Sequence, residues 1–535
     1  MTHNGNTTSD RLNRPQPPTT KGITMTRPSL LATALLAAAL ASLVLAPLPA
    51  LAQDSSTLRI GLADDPDLLD PTLGRSFVGR IVFAGLCDKL VEIDANLNIV
   101  PQLAASYAWT DSKTLVFKLR PGVKFHDGTD LDAAAVKFSM ERHLTMPGSA
   151  RRGEISTLDR VEVVDPLTVR MVLKTPTAPF LAALTDRAGM IISPKAAEAA
   201  GKDFPNKPVC AGPYKFVERV AQDHITLERF DGYWNAAAIK INRIIYRTVI
   251  DPSVRNANLQ AGALDMAERI QPTDVDAIRK NAKLALAVYD GLGYQGITFN
   301  VGHGDRSKTP LGQSALVRQA LDAAIDREAL VQVVYAGMFT PSAQAIPPAS
   351  PFYDPSTPAP KRDLARAKKL LAESGMKLPV TVELTVTNSA DQVQTGEVIQ
   401  SMASEAGFDV KVRAMEFAAS LDADDRGDFA AHLIGWSGRA DADGNLYNFL
   451  HTGTPLNVGR YSSKDVDGWL DEARAVTDVK SRQALYAKVA KAHIADVPLM
   501  YLYINKWITG MSTRVEGYIP VADGIIRPQG ITLAK

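Results

Sequence analysis

The segment Gly435–Asn445, GWSGRADADGN, gathers residue types that bind charged ligands. Arg439 carries a forked guanidinium, which takes a carboxylate or phosphate through two parallel hydrogen bonds. Asp441 and Asp443 carry the opposite charge and suit an ammonium. Trp436 offers a face for stacking. With Gly435, Gly438 and Gly444 among eleven residues, the stretch is a poor helix and a poor strand. It reads either as a solvated loop or as the wall of a site. His432 and His451 flank it, but two histidines with no third ligand nearby do not make a transition-metal site.

Catalytic constellations are not legible elsewhere. The eight histidines are scattered. There is no H-E-x-x-H, no G-x-S-x-G elbow and no phosphate-binding P-loop. FHDG at Phe125–Gly128 reads as a turn ahead of a helix starting near Asp132 rather than as an acid–base pair. These residues give no expectation of an enzyme, a cofactor or a metal.

At 535 residues the chain exceeds one small core, so two or more lobes are expected. Hydrophobic residues make up 46% and charged residues 22%, as in ordinary globular proteins. The net charge of +1 gives no support to nucleic-acid binding, which calls for a basic excess. Residues 1–24 are polar and proline-bearing. Arg27, the apolar run Leu30–Leu45 and the small-x-small triplet Ala50-Leu51-Ala52 then read as a signal peptide cleaved after Ala52. Pro47 and Pro49 shorten the apolar run, which favours cleavage over an uncleaved anchor. No cysteine follows the cleavage point, so no lipid anchor is expected, and Met25 is an alternative start. Removing residues 1–52 leaves 55 basic and 57 acidic residues, a net −2.

The elements that must position these residues are readable in outline. TLVFKLR alternates as a half-buried strand, and VEVVDPLTVRMVL is a hairpin around Asp165-Pro166. YKFVER and DHITLERF form another antiparallel pair. SALVRQALDAAIDREALVQVVY carries Leu316, Ala320, Ala324, Leu330 and Val334 on one helical stripe. RDLARAKKLLAESG is a helix stopped by Gly375. PVTVELTV, EVIQSMASEAG and FDVKVRAM then read strand, helix, strand. The region from about 295 to 500 is α/β, the part before it is richer in hairpins, and no flexible linker separates them. The lobes are therefore expected to be joined by strands that cross between them. Cys87 and Cys210, in an exported chain, pair as a disulfide or stay as two buried thiols.

Leu90–Arg142, LVEIDANLNIVPQLAASYAWTDSKTLVFKLRPGVKFHDGTDLDAAAVKFSMER, resembles the signature region of bacterial extracellular solute-binding proteins of family 5, the peptide/nickel/opine-type receptors of ABC importers. The resemblance continues through AGPYKFVE, LERFDGYW, VRQALDAAIDREALV, AKKLLAESG and YSSKDVDGWLDEARAV, and ends with ADVPLMYLYI. It implies a type II-like, two-lobe, hinge-closing α/β periplasmic binding protein with an extra subdomain. Residues 1–52 would be leader. Residues 53–92, 197–292 and 501–535 would form lobe I, with the extra subdomain at 93–196, and 293–500 would form lobe II. The implied role is capture of a peptide or small anionic peptide-like solute in the interlobe cleft of a periplasmic monomer, for delivery to inner-membrane ABC permease subunits. An exported hydrolase, or a solute sensor or chaperone on the same fold, are the rival readings.

Within that resemblance, dipeptide- and oligopeptide-binding relatives follow a Gly-Trp pair shortly with an aspartate that holds the ligand's α-ammonium. Here Gly435-Trp436 is present and Arg439 stands where the acid is expected. Three outcomes stay open: Arg439 meets a ligand anion, Arg439 pairs with Asp441 or Asp443, or a register shift lets one of those aspartates hold an amine. Gly438 shares this loop. Arg75 and Phe77 follow LLDPT, a segment that runs along the cleft in the family. Asn388 and Ser389 end the strand VTVELTVT at a turn. The family places Cys87 and Cys210 in one lobe, which favours the disulfide.

Overall fold

The computed structural model describes residues 56–534. The leader and its expected cleavage point after Ala52 lie outside them. Strand β1 (Thr57–Leu62) leads through Asp64-Asp65-Pro66 into helix α1 (Phe77–Leu86). The Ser76 side chain accepts from the Gly79 amide and so caps α1. Nine of its ten residues are buried, so α1 is a core helix rather than an amphipathic surface one.

The chain then builds a separate antiparallel layer. Strands β2 (Ala104–Asp111) and β3 (Thr114–Leu119) precede helix α2 (Ala133–Thr145), which Asp132 caps through the Ala135 amide. Strands β4 (Leu158–Asp165) and β5 (Thr168–Leu173) complete a four-stranded sheet in the order β2-β3-β5-β4. Leu115, Phe117 and Leu119, the alternating set of β3, meet Val136 and Met140 of α2 in a core of their own, which draws on residues from Leu90 to Ala211.

Strands β6 (Tyr214–Val220), β7 (His224–Arg229), β8 (Arg243–Thr248) and β9 (Met266–Ala267) return to β1. Their apolar faces and α1 form one core containing Ile60, Ile81, Phe83, Leu227 and Tyr246. Strand β10 (Leu284–Phe299) leaves this core for a second one. There the helices α3 (Ala315–Ala324), α4 (Arg327–Tyr335) and α5 (Leu364–Glu373) precede strand β11 (Val380–Thr387), helix α6 (Ala390–Ser404) and strand β12 (Phe408–Met415). Helix α7 (Phe417–Arg426), strand β13 (Ala431–Trp436) and helices α8 (Asp443–Leu450), α9 (Lys464–Ala475) and α10 (Val479–Asp496) follow, and strand β14 (Leu499–Ser512) goes back.

The main sheet runs β12-β11-β13-β10-β14-β9-β1-β8-β7-β6. Its two long central strands, β10 and β14, are antiparallel from Leu284↔Ser512 to Thr298↔Leu499. Met500, Leu502 and Tyr503 of β14 belong to the second core, whereas Trp507 and Met511 belong to the first. The same pair of strands therefore enters both hydrophobic cores. The register slips between Asp290 and Tyr294, where the β10 strand carries two glycines, Gly291 and Gly293. The result is a two-lobe α/β fold with an extra subdomain, held by strands that cross.

Two local expectations change. The stripe from Leu316 to Val334 is two helices rather than one, because Asp326 turns its side chain to the Ala329 amide and starts α4 afresh. Leu316 is half-buried, and Val317 and Leu321 fill the core instead. The segment Gly435–Asn445 is not all loop either: it contains the last two residues of strand β13 and the first residues of α8.

Cys87, at the end of α1, is disulfide-bonded to Cys210 with the Cα atoms 4.9 Å apart, and both lie in the first core. The bond closes a loop with a sequence separation of 123. In the chain-entropy account such a loop contributes about 5 kcal/mol, and removing a native disulfide costs roughly 2–5 kcal/mol. Cys87→Ala with Cys210→Ala is expected to lose stability within that range in denaturant titration. Thiol labelling of the denatured, unreduced protein should find no thiol, and two labelled thiols would contradict the pairing.

Candidate functional site

A cavity of about 230 Å³ lies where the two cores face each other, and residues of both line it. Its floor is aromatic. Phe77 of α1 stacks on Trp507 of β14 with ring centroids 4.3 Å apart and planes 10° apart. Trp436, at the end of β13, meets Phe449 edge-on at 4.9 Å. Around this floor stand charges of both signs: Arg75, Arg255, Arg269 and Lys506 against Asp64, Asp391 and Asp424.

The first lobe contributes Asp64 and Arg269. Asp64 sits just past β1, and its Oδ2 lies 2.9 Å from Nη1 of Arg269. Burial pushes the Asp64 carboxyl up; Arg269 and Arg255 oppose this, and Asp391 across the cleft adds to it. Arg269 adopts φ 49°, a left-handed conformation that costs a bulky residue on the order of 1–2 kcal/mol. Arg255 maintains it. This buried guanidinium donates to the carbonyls of Glu268 (3.0 Å), Arg269 (2.9 Å), Ile250 (3.2 Å) and Val249 (2.5 Å), so the loop is bonded to one rigid group on α-helical backbone. The guanidinium of Arg269 is thereby presented 5.1 Å from the Phe77 ring, over the cavity floor. Arg75 stands beside it and crosses to the second lobe, where Nη1 lies 2.8 Å from Asp425 Oδ1 of α7.

The second lobe contributes the start of α6. Ser389, Asp391 and Gln392 line the cavity there, and Asp391 Oδ2 accepts from Gln392 Nε2 at 3.1 Å. Asp391 lies in the first turn of α6, where the helix dipole favours a negative charge. Asp424 of α7 also faces the cavity, with its two oxygens 2.9 and 3.0 Å from Nδ1 of the fully buried His432.

Of the residues singled out from sequence, Arg75, Phe77, Ser389, Gly435 and Trp436 line this cavity. The others go elsewhere. Arg439 meets neither the cavity nor its loop aspartates. Its Nε lies 2.9 Å from Asp186 Oδ2 in the subdomain of the other lobe, and its guanidinium stacks 4.3 Å from the Trp436 ring. Asp441 accepts from Arg482 of α10 at 2.6 and 2.8 Å, and Asp443 accepts from Arg474 of α9 at 2.7 and 2.9 Å. Those two arginines occupy the aspartates, and neither aspartate pairs with Arg439. Gly438 is structural: at φ 83° it packs against β10, where a Cβ would lie 2.1 Å from the Leu292 carbonyl carbon. Asn388 is exposed and its amide donates to the Met415 carbonyl, one residue short of the cavity-lining Ser389. Of the two flanking histidines, His432 is taken by Asp424 and His451 stacks on Tyr447 with centroids 4.5 Å apart.

The lobes are shut over the cavity by polar contacts. Besides Arg75–Asp425 and Arg439–Asp186, Arg80 Nη1 of α1 donates to Ser437 Oγ at 2.9 Å, and the Ala178 amide donates to the Arg474 carbonyl at 2.8 Å. Asp186 anchors the seam. Burial alone would raise its carboxyl, but Arg439, Arg80, Arg187 and Arg151 together hold it well below the usual carboxylate range.

The model of the bacterial extracellular solute-binding proteins, family 5 Middle, matches residues 98–457. The chain belongs to this family. Among its relatives, the glutathione-binding protein GsiB of Pectobacterium atrosepticum is 32% identical over 468 residues, which are 85% of this chain and 90% of that one. The PBP AgaA from A. tumefaciens, solved with agropinic acid, superposes with a TM-score of 0.82 at 27% identity, covering 90% of this chain and 99% of that one. DppA from Helicobacter pylori, solved with the peptide STSA, gives a TM-score of 0.82 at 25% identity over 90% of this chain and 98% of that one. These relatives are binding proteins, and the family 5 chain described here is a solute-binding protein whose cavity is the interlobe one.

If Arg439 acts on binding by closing the lobes, its effect on affinity must run through Asp186. In a double-mutant cycle of Arg439→Ala and Asp186→Ala read as solute affinity, the two losses are expected to overlap with a coupling of about 0.5–3 kcal/mol, the range for directly paired residues. Fully additive losses would mean that Arg439 touches the solute independently of the seam.

Proposed function

We propose that this family 5 protein is the periplasmic receptor of an ABC importer and captures a peptide-like zwitterion with at least one carboxylate and one ammonium. The observation that carries this reading is the mixed charge of the cavity: Arg75, Arg255, Arg269 and Lys506 share its lining with Asp64, Asp391 and Asp424. A solute with only negative charge would meet Asp64, Asp391 and Asp424 as well as the cations, and a neutral one would engage the charges of neither sign. A short peptide matches both signs along an apolar body.

Two groups receive the polar ends. Arg269, fixed by its backbone and by Arg255, is placed to take the carboxylate. Asp391, at the cavity end of α6, is placed to take the ammonium. In this chain Arg439 occupies the position at which peptide-binding relatives carry their acid, and its charge is directed at Asp186. The amine-holding role therefore passes to another carboxylate, and Asp391 faces the cavity. The likeness to a glutathione-binding protein makes a γ-linked or short α-linked peptide the solute of choice. Export by a cleaved signal peptide, a monomeric state and delivery to a permease pair complete the reading.

Isothermal titration with reduced glutathione, a panel of di- and tripeptides and agropinic acid tests it. At least one peptide-like member should bind. Arg269→Ala should weaken that binding by about ten- to a hundredfold, the loss of one charge-assisted contact, and Asp391→Asn by a similar factor for ligands with a free amine. N-acetylation of the peptide should cost the wild type as much as Asp391→Asn does and cost the variant nothing further. Conversion of the solute into a new product, or binding insensitive to both substitutions, would overturn the proposal.

A further inference from the structure

Behind the cavity wall lies a cluster of cations that the binding of a zwitterion does not account for. Arg80, Arg151, Arg187 and Arg439 converge on two acceptors. Arg80 Nη2 and Arg439 Nε lie 2.8 and 2.9 Å from Asp186 Oδ2. Arg187 Nη1 and Arg151 Nη2 lie 2.7 and 3.4 Å from the Gly74 carbonyl. Arg151 and Arg187 are fully buried, and Arg80 is 6% exposed.

Four guanidinium groups here face two carboxylates, Asp186 and Glu154, the latter 2.5 Å from Arg151 Nη1. A further carboxylate, Asp523, is 3.8 Å from Arg80, and Arg527 holds both its oxygens at 2.7 and 2.9 Å. The local charge is positive in a place that water reaches poorly. Buried charge of one sign is costly unless compensated. Hydrogen bonding is incomplete as well. Nε and Nη2 of Arg187, Nε of Arg151 and Nη2 of Arg439 are buried without an acceptor, although Arg187 Nε sits 3.5 Å from Asp186 Oδ1, and Asp186 Oδ2, close to two guanidinium groups, accepts no aligned hydrogen bond from either. Burial and the neighbouring Arg151 push the Arg187 guanidinium well below its usual value, and burial brings Arg439 down to about 10. Both shifts agree with uncompensated positive charge.

The cluster adjoins the solute cavity. Arg80 donates to Ser437, which lines the cavity, and Arg439 stacks on Trp436, which forms part of its floor. It also spans the seam, since Arg439 comes from the second lobe and the other three arginines from the first. We propose that Arg80, Arg151, Arg187 and Arg439 form an interlobe anion site that takes a small anion at the seam between the lobes. The anion is either a free halide or a carboxylate arm of the captured solute. The second source rests on the peptide-like solute reading above, and the first does not.

Crystals of the mature protein grown in sodium bromide, without and with glutathione, separate these sources. A bromide anomalous peak in contact with Arg187 and Arg439 in both crystals identifies a free anion. A bromide peak displaced by a glutathione carboxylate, or a carboxylate there alone, identifies the solute arm. In solution, the free-anion site predicts that wild-type melting temperature rises with chloride at constant ionic strength, with gluconate as the replaced anion. The rise is about 1 °C per tenfold chloride once the site is saturating, for a chain of this length. Arg439→Gln should remove the dependence, and should that variant fail to fold, the wild-type titration and the bromide crystal still decide. Water alone at the cluster in both crystals, with equal melting in chloride and gluconate, would overturn the anion site. It would leave the peptide-binding reading to stand or fall on its own titration.

Discussion

The carboxylate of Asp186 takes guanidinium groups from both halves of the molecule. Arg80 reaches it from the core helix of the first lobe and Arg439 from the loop after β13 in the second. Two of the contacts that shut the cavity, Arg439–Asp186 and Arg80–Ser437, meet here. Arg80 also donates to Ser437, and Arg439 also covers Trp436, so the pair that joins the lobes sets the position of two cavity walls. A buried ion pair suits this duty. Desolvation offsets much of its Coulomb gain, which leaves the net free energy small. An apolar seam of equal size would hold the lobes shut at all times, whereas a near-balanced one leaves the decision to a solute worth a few kcal/mol.

The covalent route between the lobes obeys the same logic. β10 and β14 share one antiparallel ladder and pass from one core to the other, so the lobes cannot drift apart as they would on a flexible linker. Their register slips at Asp290–Tyr294, beside the place where Gly293 lets the Trp436 carbonyl approach to within a distance that excludes any side chain. Bending at this irregularity would move the Trp436 loop relative to the first lobe, and with it Arg439 relative to Asp186. Cavity wall, hinge and seam are thus mechanically one unit.

Much of this architecture is legible in the sequence because it depends on local chemistry. Alternation marks β3 and β11, Asp165-Pro166 marks a hairpin, and Gly375 at φ 69° ends α5. The absence of a linker between hairpin-rich and α/β regions foretells strands that cross. The break between α3 and α4 is less visible, since an aspartate inside an apolar stripe reads equally as a helix face and as a cap. The site is legible only in part. Arg75, Phe77 and Trp436 belong to segments whose place along the cleft follows from family resemblance. Arg439 was expected to meet a ligand or its own loop, and its partner lies 253 positions away in the chain, at Asp186, where no local pattern points to it. Arg269 carries no sequence signal at all: AERIQP is an ordinary loop, and the left-handed φ and the four-carbonyl grip of Arg255 are tertiary properties. Asp391 is the exception. An acid in the first turn of a helix that follows a buried strand is a visible candidate for a cleft-facing charge.

The dependence of closure on Asp186 is tested most directly by small-angle scattering of the wild type and Asp186→Asn across a glutathione titration. The account predicts a smaller radius of gyration for the wild type as glutathione saturates. It predicts a larger one for unliganded Asp186→Asn, which should need more glutathione to reach the compact state. Identical radii for the two proteins at every concentration would show that the seam does not govern closure.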